Sequence, residues 1–188
     1  MKMGRGSWSN KRTVEDCMSI SIKWLSQHDY FCGFKTGGIQ WKDGLGKVTD
    51  SIGIEASVDQ RNEDRNYLRI FYTQTDYFTK EKKEYDYKIP IITTSCNYGG
   101  IRYWFKCPLT VNGNYCGKRV GKIYLPPLGS YFGCRTCHNL TYRSSQEHDK
   151  RVDEVMKNPY LLRAYMESGK SSKNLLALKA SFKYLKKE

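Results

Sequence analysis

No aspartate or glutamate stands between Asp86 and Glu147. The same stretch holds Lys88, Arg102, Lys106, Lys118, Arg119, Lys122, Arg135 and Arg143, so its cationic charge has no acid within the stretch to balance it. Long apolar runs are missing as well. None approaches the ~18 residues of a membrane span, which excludes a helix that crosses a bilayer. The opening MKMGRGSWSNKR has no apolar core of the kind a secretory signal needs, so the chain is expected in the reducing cytoplasm. Disorder is excluded by content: 39% hydrophobic and 14% aromatic residues are too many for a chain that buries nothing. Catalytic signatures are scarce. Gly44-Leu45-Gly46-Lys47 lacks the spacing of a phosphate loop, and no nucleophile elbow occurs. His28-Asp29 and His148-Asp149 are adjacent pairs, which do not face each other on a helix and make no ready dyad. Asp76 followed by Glu81-Lys82-Lys83 has the order of a metal-dependent nuclease pattern, but its place in a charged turn reads as a solvated loop. The chain is therefore expected not to be an enzyme.

What the chain does have is positive charge and thiols. The formal net charge is +13, which speaks to partners: nucleic acid first, an anionic membrane surface second, an acidic protein third. Seven cysteines, an odd number in a reducing compartment, point to metal binding rather than to a disulfide framework.

The pattern along the chain predicts an α+β protein. Residues 1–12 read as a flexible basic arm. Thr13 to about Gln27 reads as a helix capped by Thr13, with Glu15 and Asp16 in its first turn and Val14, Cys17, Met18, Ile22 and Leu25 on one apolar face. From Tyr30 to Cys96 the period becomes two. Strands are expected at Phe31–Phe34, Ile39–Trp41, Ser51–Val58, Tyr67–Phe78 and Tyr85–Thr94, with turns at Asp59–Asn66 and Lys80–Glu84. Residues 13–98 thus form a helix packed on an antiparallel sheet, 99–143 a cysteine module and 144–188 a helical tail. In the tail, helices are expected over Ser145–Lys157, from Pro159, and over Lys173–Lys187, the last with Leu175, Leu178, Phe182 and Leu185 on its docking face.

The module carries Cys107, Cys116, Cys134 and Cys137 in a pair-gap-pair order. Cys134-Arg135-Thr136-Cys137 is a compact knuckle whose two sulfurs can reach one ion across a tight turn. The gap between Cys107 and Cys116 is long, but Asn112-Gly113 is a strong type I′ turn signal that brings Cys116 back beside Cys107. Arg119–Leu125 and Gly129–Phe132 read as strands joined across Pro126-Pro127. The arrangement is that of a zinc ribbon with one structural Zn²⁺, since four thiolates leave no open position for catalysis. His138 is a rival ligand, awkwardly placed directly after Cys137, and Cys96 is another. The Cys-x-x-Cys-His string also matches a haem attachment site, a chemistry that requires export, and Cys-x-x-Cys alone matches a redox dithiol, which lacks its βαβ context here. Cys17, Cys32 and Cys96 are expected to be buried.

Arg102-Tyr103-Trp104-Phe105-Lys106 alternates cations with aromatics. In a strand, Arg102, Trp104 and Lys106 share one face and Tyr103 and Phe105 the other. With Lys118, Arg119, Lys122 and Arg135 they form a candidate nucleic-acid-binding set, where cations neutralise phosphates and rings stack on bases. The alternative partner is a host nucleoprotein or defence complex engaged by the same surface.

Several strings resemble a widespread family of bacterial and phage-associated proteins. The most specific runs from Cys96-Asn97-Tyr98-Gly99-Gly100 through Trp104 to Cys107-Pro108, followed by Gly117–Leu125 and Cys134–Tyr142; Thr13–Cys17 and Ser51–Ile54 extend the likeness. Members often read Cys-Pro-x-Cys in the first knuckle, from which this chain departs by an insertion before Cys116. The resemblance implies a zinc-ribbon-like module and an origin in phages or mobile elements, and it implies no activity.

Overall fold

The computed structural model describes residues 11–59, 65–76, 79–146 and 148–185, and it divides after Thr141 into two compact units. Most of the expected arm, residues 1–10, and most of the turn expected at 59–66 lie outside the described residues.

The helix expected over Thr13–Gln27 is a correction. The segment forms a 3₁₀ turn (Val14–Asp16), a strand β1 (Met18–Ser21) and a short helix α1 (Ile22–Gln27). Two patterns compete in it. The helical one recruits Val14, Cys17, Met18, Ile22 and Leu25. Against it stand Ser19, Ile20 and Ser21, all poor helix formers. Ile20, off the expected face, is 1% exposed, so the extended form wins by burying it. Ser21 keeps extended backbone and caps α1, accepting a bond from the Trp24 N–H at 3.1 Å. Thr13 makes no such cap; its hydroxyl bonds the Asp16 carboxylate instead.

The sheet is an antiparallel meander. β2 (Gly33–Lys42), β3 (Val48–Val58), β4 (Tyr67–Thr75), β5 (Lys82–Ser95) and β6 (Ile101–Lys106) pair in chain order. After the short hairpin β7 (Thr110–Val111) and β8 (Asn114–Tyr115), β9 (Arg119–Val120) adds the outer strand beside β6. β2 runs unbroken through Gly37-Gly38, where two strands were expected. Ile52, Ile54, Ala56 and Val58 on β3, Leu68 and Ile70 on β4, Tyr85, Ile89 and Ile91 on β5 and Phe105 on β6 are buried, all on one face as their period of two requires. On the opposite face Arg69 donates to both oxygens of Asp86, at 2.7 and 2.6 Å, and to Glu55 at 3.3 Å. β5 changes partner along its length: Lys82–Pro90 pairs with β4 and Ile91–Ser95 with β6.

The inner face is covered by a two-stranded ribbon. β10 (Lys122–Leu125) pairs with β1, Ile20 opposite Ile123. Ile20, Leu25, Tyr30, Phe31, Ile123, Leu125 and Phe132 join the sheet residues in one core. The boundary expected near residue 98 falls in the turn between two paired strands, β5 and β6, and residues 99–141 share one compact unit with the sheet.

The strand expected at Gly129–Phe132 does not form. Tyrosines hold this segment instead. Tyr72 donates its hydroxyl to the Ser130 carbonyl at 2.6 Å, and the Phe132 N–H donates to the Tyr87 hydroxyl at 2.8 Å. Tyr131 stands edge-on to Tyr85 and Tyr87 at 5.3 and 5.2 Å. Burial pushes the phenols of Tyr72 and Tyr87 upward, so both stay neutral hydroxyls across the working pH range, Tyr72 donating and Tyr87 accepting. Tyr87→Phe is expected to leave the Phe132 N–H without its acceptor at a cost of about 1–3 kcal/mol. Chemical denaturation at unchanged slope checks it.

The second unit holds α2 (Arg143–Gln146), α3 (Lys150–Lys157), α4 (Pro159–Glu167) and α5 (Ser171–Leu185). Asp149 caps α3, and Asn158 caps α4 with Pro159 at its first turn. Val152, Val155 and Ala180 form its core with Met156, Leu162, Tyr165 and Leu176 around them. The face expected to dock α5 is therefore displaced: Leu176, Ala177 and Ala180 face inward, and Leu175, Leu178 and Phe182 are exposed. Short side chains win because they let three helices approach closely.

Candidate metal centre and the basic face beside it

The first cysteine pair is built by a hairpin. β6 delivers Cys107 at its end, and the chain returns through β7 and β8. Asn112 (φ 52°) and Gly113 (φ 78°) are both left-handed, the two-residue type I′ turn that their sequence specifies. The excursion is pinned at its base. Cys116 N–H donates to the Leu109 carbonyl at 2.8 Å, Gly117 N–H to that of Cys107 at 3.2 Å, and Cys107 N–H to that of Lys118 at 2.9 Å. The second pair sits in one tight turn, closed by His138 N–H to the Cys134 carbonyl at 3.2 Å and Leu140 N–H to that of Arg135 at 3.0 Å.

All four sulfurs lie within 4.8 Å of one another, a possible metal site. Cys107 and Cys137 are 3.9 Å apart at sulfur, Cys116 and Cys134 3.8 Å. A tetrahedral ion with bonds of ~2.3 Å to thiolate sets these separations at about 3.8 Å, so the donor set fits one such ion. Backbone amides already serve the sulfurs: Cys134 N–H points at Cys107 Sγ (3.3 Å) and Cys137 N–H at Cys134 Sγ (3.4 Å). Burial pushes the Cys107 thiol up to about 11 and raises Cys137 as well. Burial opposes ionisation at Cys134 too, but the Cys137 N–H and the surrounding thiols outweigh it and hold its pKa below the ordinary value.

Among the described residues no other group of three or more His, Cys, Asp and Glu side chains comes close enough to share an ion. His138 is outside the sulfur group; burial lowers its pKa, and its buried Nε2 has no hydrogen-bond partner. Cys32 and Cys96 are exposed rather than buried and Cys17 is half-buried, donating to the Thr13 carbonyl at 3.3 Å. Cys32 and Cys96 occupy turns flanking strands, and turn residues face water.

Gly133 keeps the two cysteine turns together. A methyl group there would sit 2.1 Å from Leu109 Cδ1 and 3.1 Å from His138 Nε2. Gly133→Ala is expected to force Leu109, and with it the first turn, away from the second. A loss of about 1–3 kcal/mol follows from overpacking, and a weakened metal affinity in a competition titration checks the coupling.

The expected strand geometry holds on β6. Phe105 is fully buried and Tyr103 stacks on Phe31 at 4.2 Å, while Arg102, Trp104 and Lys106 face outward. Arg119 joins them, paired across from Lys106. The Arg102 guanidinium lies 4.3 Å and that of Arg119 5.5 Å from the Trp104 ring centre. Trp104 donates its indole N–H to the Thr94 hydroxyl at 2.9 Å, fixing the ring's orientation. Lys106 rests 5.9 Å above Tyr115. Four of the seven residues are thus neighbours on one face. Lys118 is exposed just before β9, and its carbonyl supports Cys107. Arg135 is exposed within the second cysteine turn. Lys122 belongs elsewhere: β9 and β10, expected as one strand, part at Gly121 into separate sheets, and Lys122 lines a cleft of about 260 Å³ with Trp24 and Trp41. Tyr115 was missed from sequence, although its position between the Asn112-Gly113 turn and Cys116 placed it beside the cluster.

No described helix is long and apolar enough to cross a membrane. Comparison with protein-family models, with curated proteins and with solved structures gives no match to this chain.

Proposed function

We propose that this protein binds nucleic acid through the face formed by Arg102, Trp104, Lys106 and Arg119, and that one structural Zn²⁺ held by Cys107, Cys116, Cys134 and Cys137 keeps that face in shape. The observation that carries the reading is the pair of guanidiniums against one indole, in a stretch without a single acid. Elsewhere on the same sheet face Arg69 is spent on Asp86 and Glu55. Arg102, Lys106 and Arg119 rest on aromatic rings, so phosphates meet cations that no carboxylate among the described residues pairs with. Zinc is favoured over other ions by four sulfur donors, the tetrahedral fit and a closed coordination shell. The ion's role is to join the end of β6 to the second cysteine turn; Lys118 and Arg135, beside the cluster, extend the charged area. A mobile-element origin is part of this reading and rests only on the resemblance that Cys96–Cys107 and Cys134–Tyr142 bear to phage-associated proteins.

The test is a titration of nuclease-treated protein against labelled single- and double-stranded DNA and RNA at several salt concentrations. Submicromolar binding to one class, falling steeply with salt, is the expected result. Weak binding to all four overturns the reading, and retention of a host protein after nuclease treatment would then mark the face as a docking surface for an acidic protein.

A further inference from the structure

Helix α5 is apolar on two sides. Ala177 and Ala180, 0% and 1% exposed, pack inward with Leu176. Leu175, Leu178 and Phe182 lie on another side and are 54%, 50% and 64% exposed. A helix with a second apolar stripe has a second surface to cover, and among the described residues this stripe has no cover. Its spacing is three, then four, and Leu185 continues the series in sequence. That is the spacing of one helix face, with Leu175 and Phe182 a heptad apart, and a second helix covers such a narrow stripe most simply.

We propose that the stripe is a self-association surface, on which two copies of this chain pair their α5 helices in parallel through Leu175, Leu178 and Phe182. The flanks select the occupant. Lys179 borders the stripe on one side, Asn174 and Ser181 on the other. In a parallel pair each Lys179 comes opposite the uncharged Asn174 of the other copy, so no like charges meet. An antiparallel pair sets like flanks against each other, lysine facing lysine. An acidic partner helix would be matched by lysines on both flanks, which α5 lacks. A self-complementary stripe also needs only a two-fold axis to close.

The seam is small. At roughly 100 Å² per side chain, three residues from each copy bury about 600 Å², well under a standard stable interface, so the dimer is weak, with a dissociation constant expected in the micromolar range. This inference stands independently of the nucleic-acid reading, since it uses no residue of the first unit.

Sedimentation equilibrium of the metal-loaded full chain, free of nucleic acid, from about 1 to 300 μM tests it across the expected dissociation constant. The apparent mass should rise from one copy toward two. Higher salt should tighten the dimer, because each copy carries a formal charge of +13 and screening relieves their repulsion. Leu178→Glu with Phe182→Glu should weaken association at least tenfold with unchanged far-UV circular dichroism. Leu178→Gln, milder and uncharged, should weaken it several-fold and covers the case in which the double variant loses helicity. A mass of one copy throughout, an equally strong dimer in both variants, or a dimer that salt dissolves would each overturn the proposal.

Discussion

If the four thiols hold the proposed zinc, Cys134→Ser should abolish metal binding and lower the melting temperature by roughly 10–20 °C, the shift that about 3–5 kcal/mol produces in a unit of this size. Cys134 is 1% exposed, and its neighbours are arranged around its sulfur: Cys116 Sγ at 3.8 Å and the Cys137 N–H at 3.4 Å. Serine keeps the shape and loses the thiolate, leaving three donors for an ion that takes four. The sheet and its β1–β10 cover share their own core, so the loss is expected to be largest at the two cysteine turns: residues 107–118 and 133–141 loosen while β2 to β5 and β10 keep their protection in hydrogen exchange. A chelator should reproduce the effect in the unaltered protein, because metal binding and folding of the site are one equilibrium. Cys96→Ser, at an exposed thiol outside the cluster, is the control and should change neither metal content nor melting. One equivalent of metal retained by Cys134→Ser at full stability would refute the four-thiolate site.

Replacing Arg102, Lys106 and Arg119 together by alanine should cut nucleic-acid affinity by about 10²- to 10³-fold near 0.1 M salt and lower the slope of log K against log salt by about 2–3. The three are exposed or half-exposed and bear no part of the core, so melting and metal content should hold. Trp104→Ala separates the two contributions. It removes the ring on which both guanidiniums rest, and should weaken single-strand binding through lost stacking while leaving the salt slope nearly unchanged. An unaltered slope in the triple variant would move the phosphate contacts to another surface.

The strands from β3 to β5 were legible because alternation is a local property: Ile52, Ile54, Ala56 and Val58 announce one buried face without reference to any other part of the chain. The four cysteines were legible for a similar reason, two short-range turn signals at Asn112-Gly113 and Cys134–Cys137. What failed was set by distant partners. Met18–Ser21 became a strand because β10 lies beside it, and no window around residue 20 contains Ile123. Gly129–Phe132 was held by the hydroxyls of Tyr72 and Tyr87, contacts invisible to a period count. Arg119–Leu125 read as one strand and split at Gly121 because its halves serve two sheets. On α5 the larger side chains drew attention, yet alanines made the close contact.

The pairing of Met18 with Leu125 sets an order of assembly. Every neighbour from β2 to β6 follows its partner directly in the chain, so that meander can form as the chain emerges. β1 cannot take its place until β10 exists, roughly a hundred residues later, which at ribosomal speed is about 5–20 s. The inner face, with Ile54, Leu68, Ile70 and Ile89, is complete only once β5 (Lys82–Ser95) is made, so it lacks its β1–β10 lid for roughly the last thirty of those residues, about 2–6 s. The last ribbon to close is therefore the step at which a nascent chain is most open to aggregation and to chaperones, and mutations at Ile20 or Ile123 should show first as lost soluble yield.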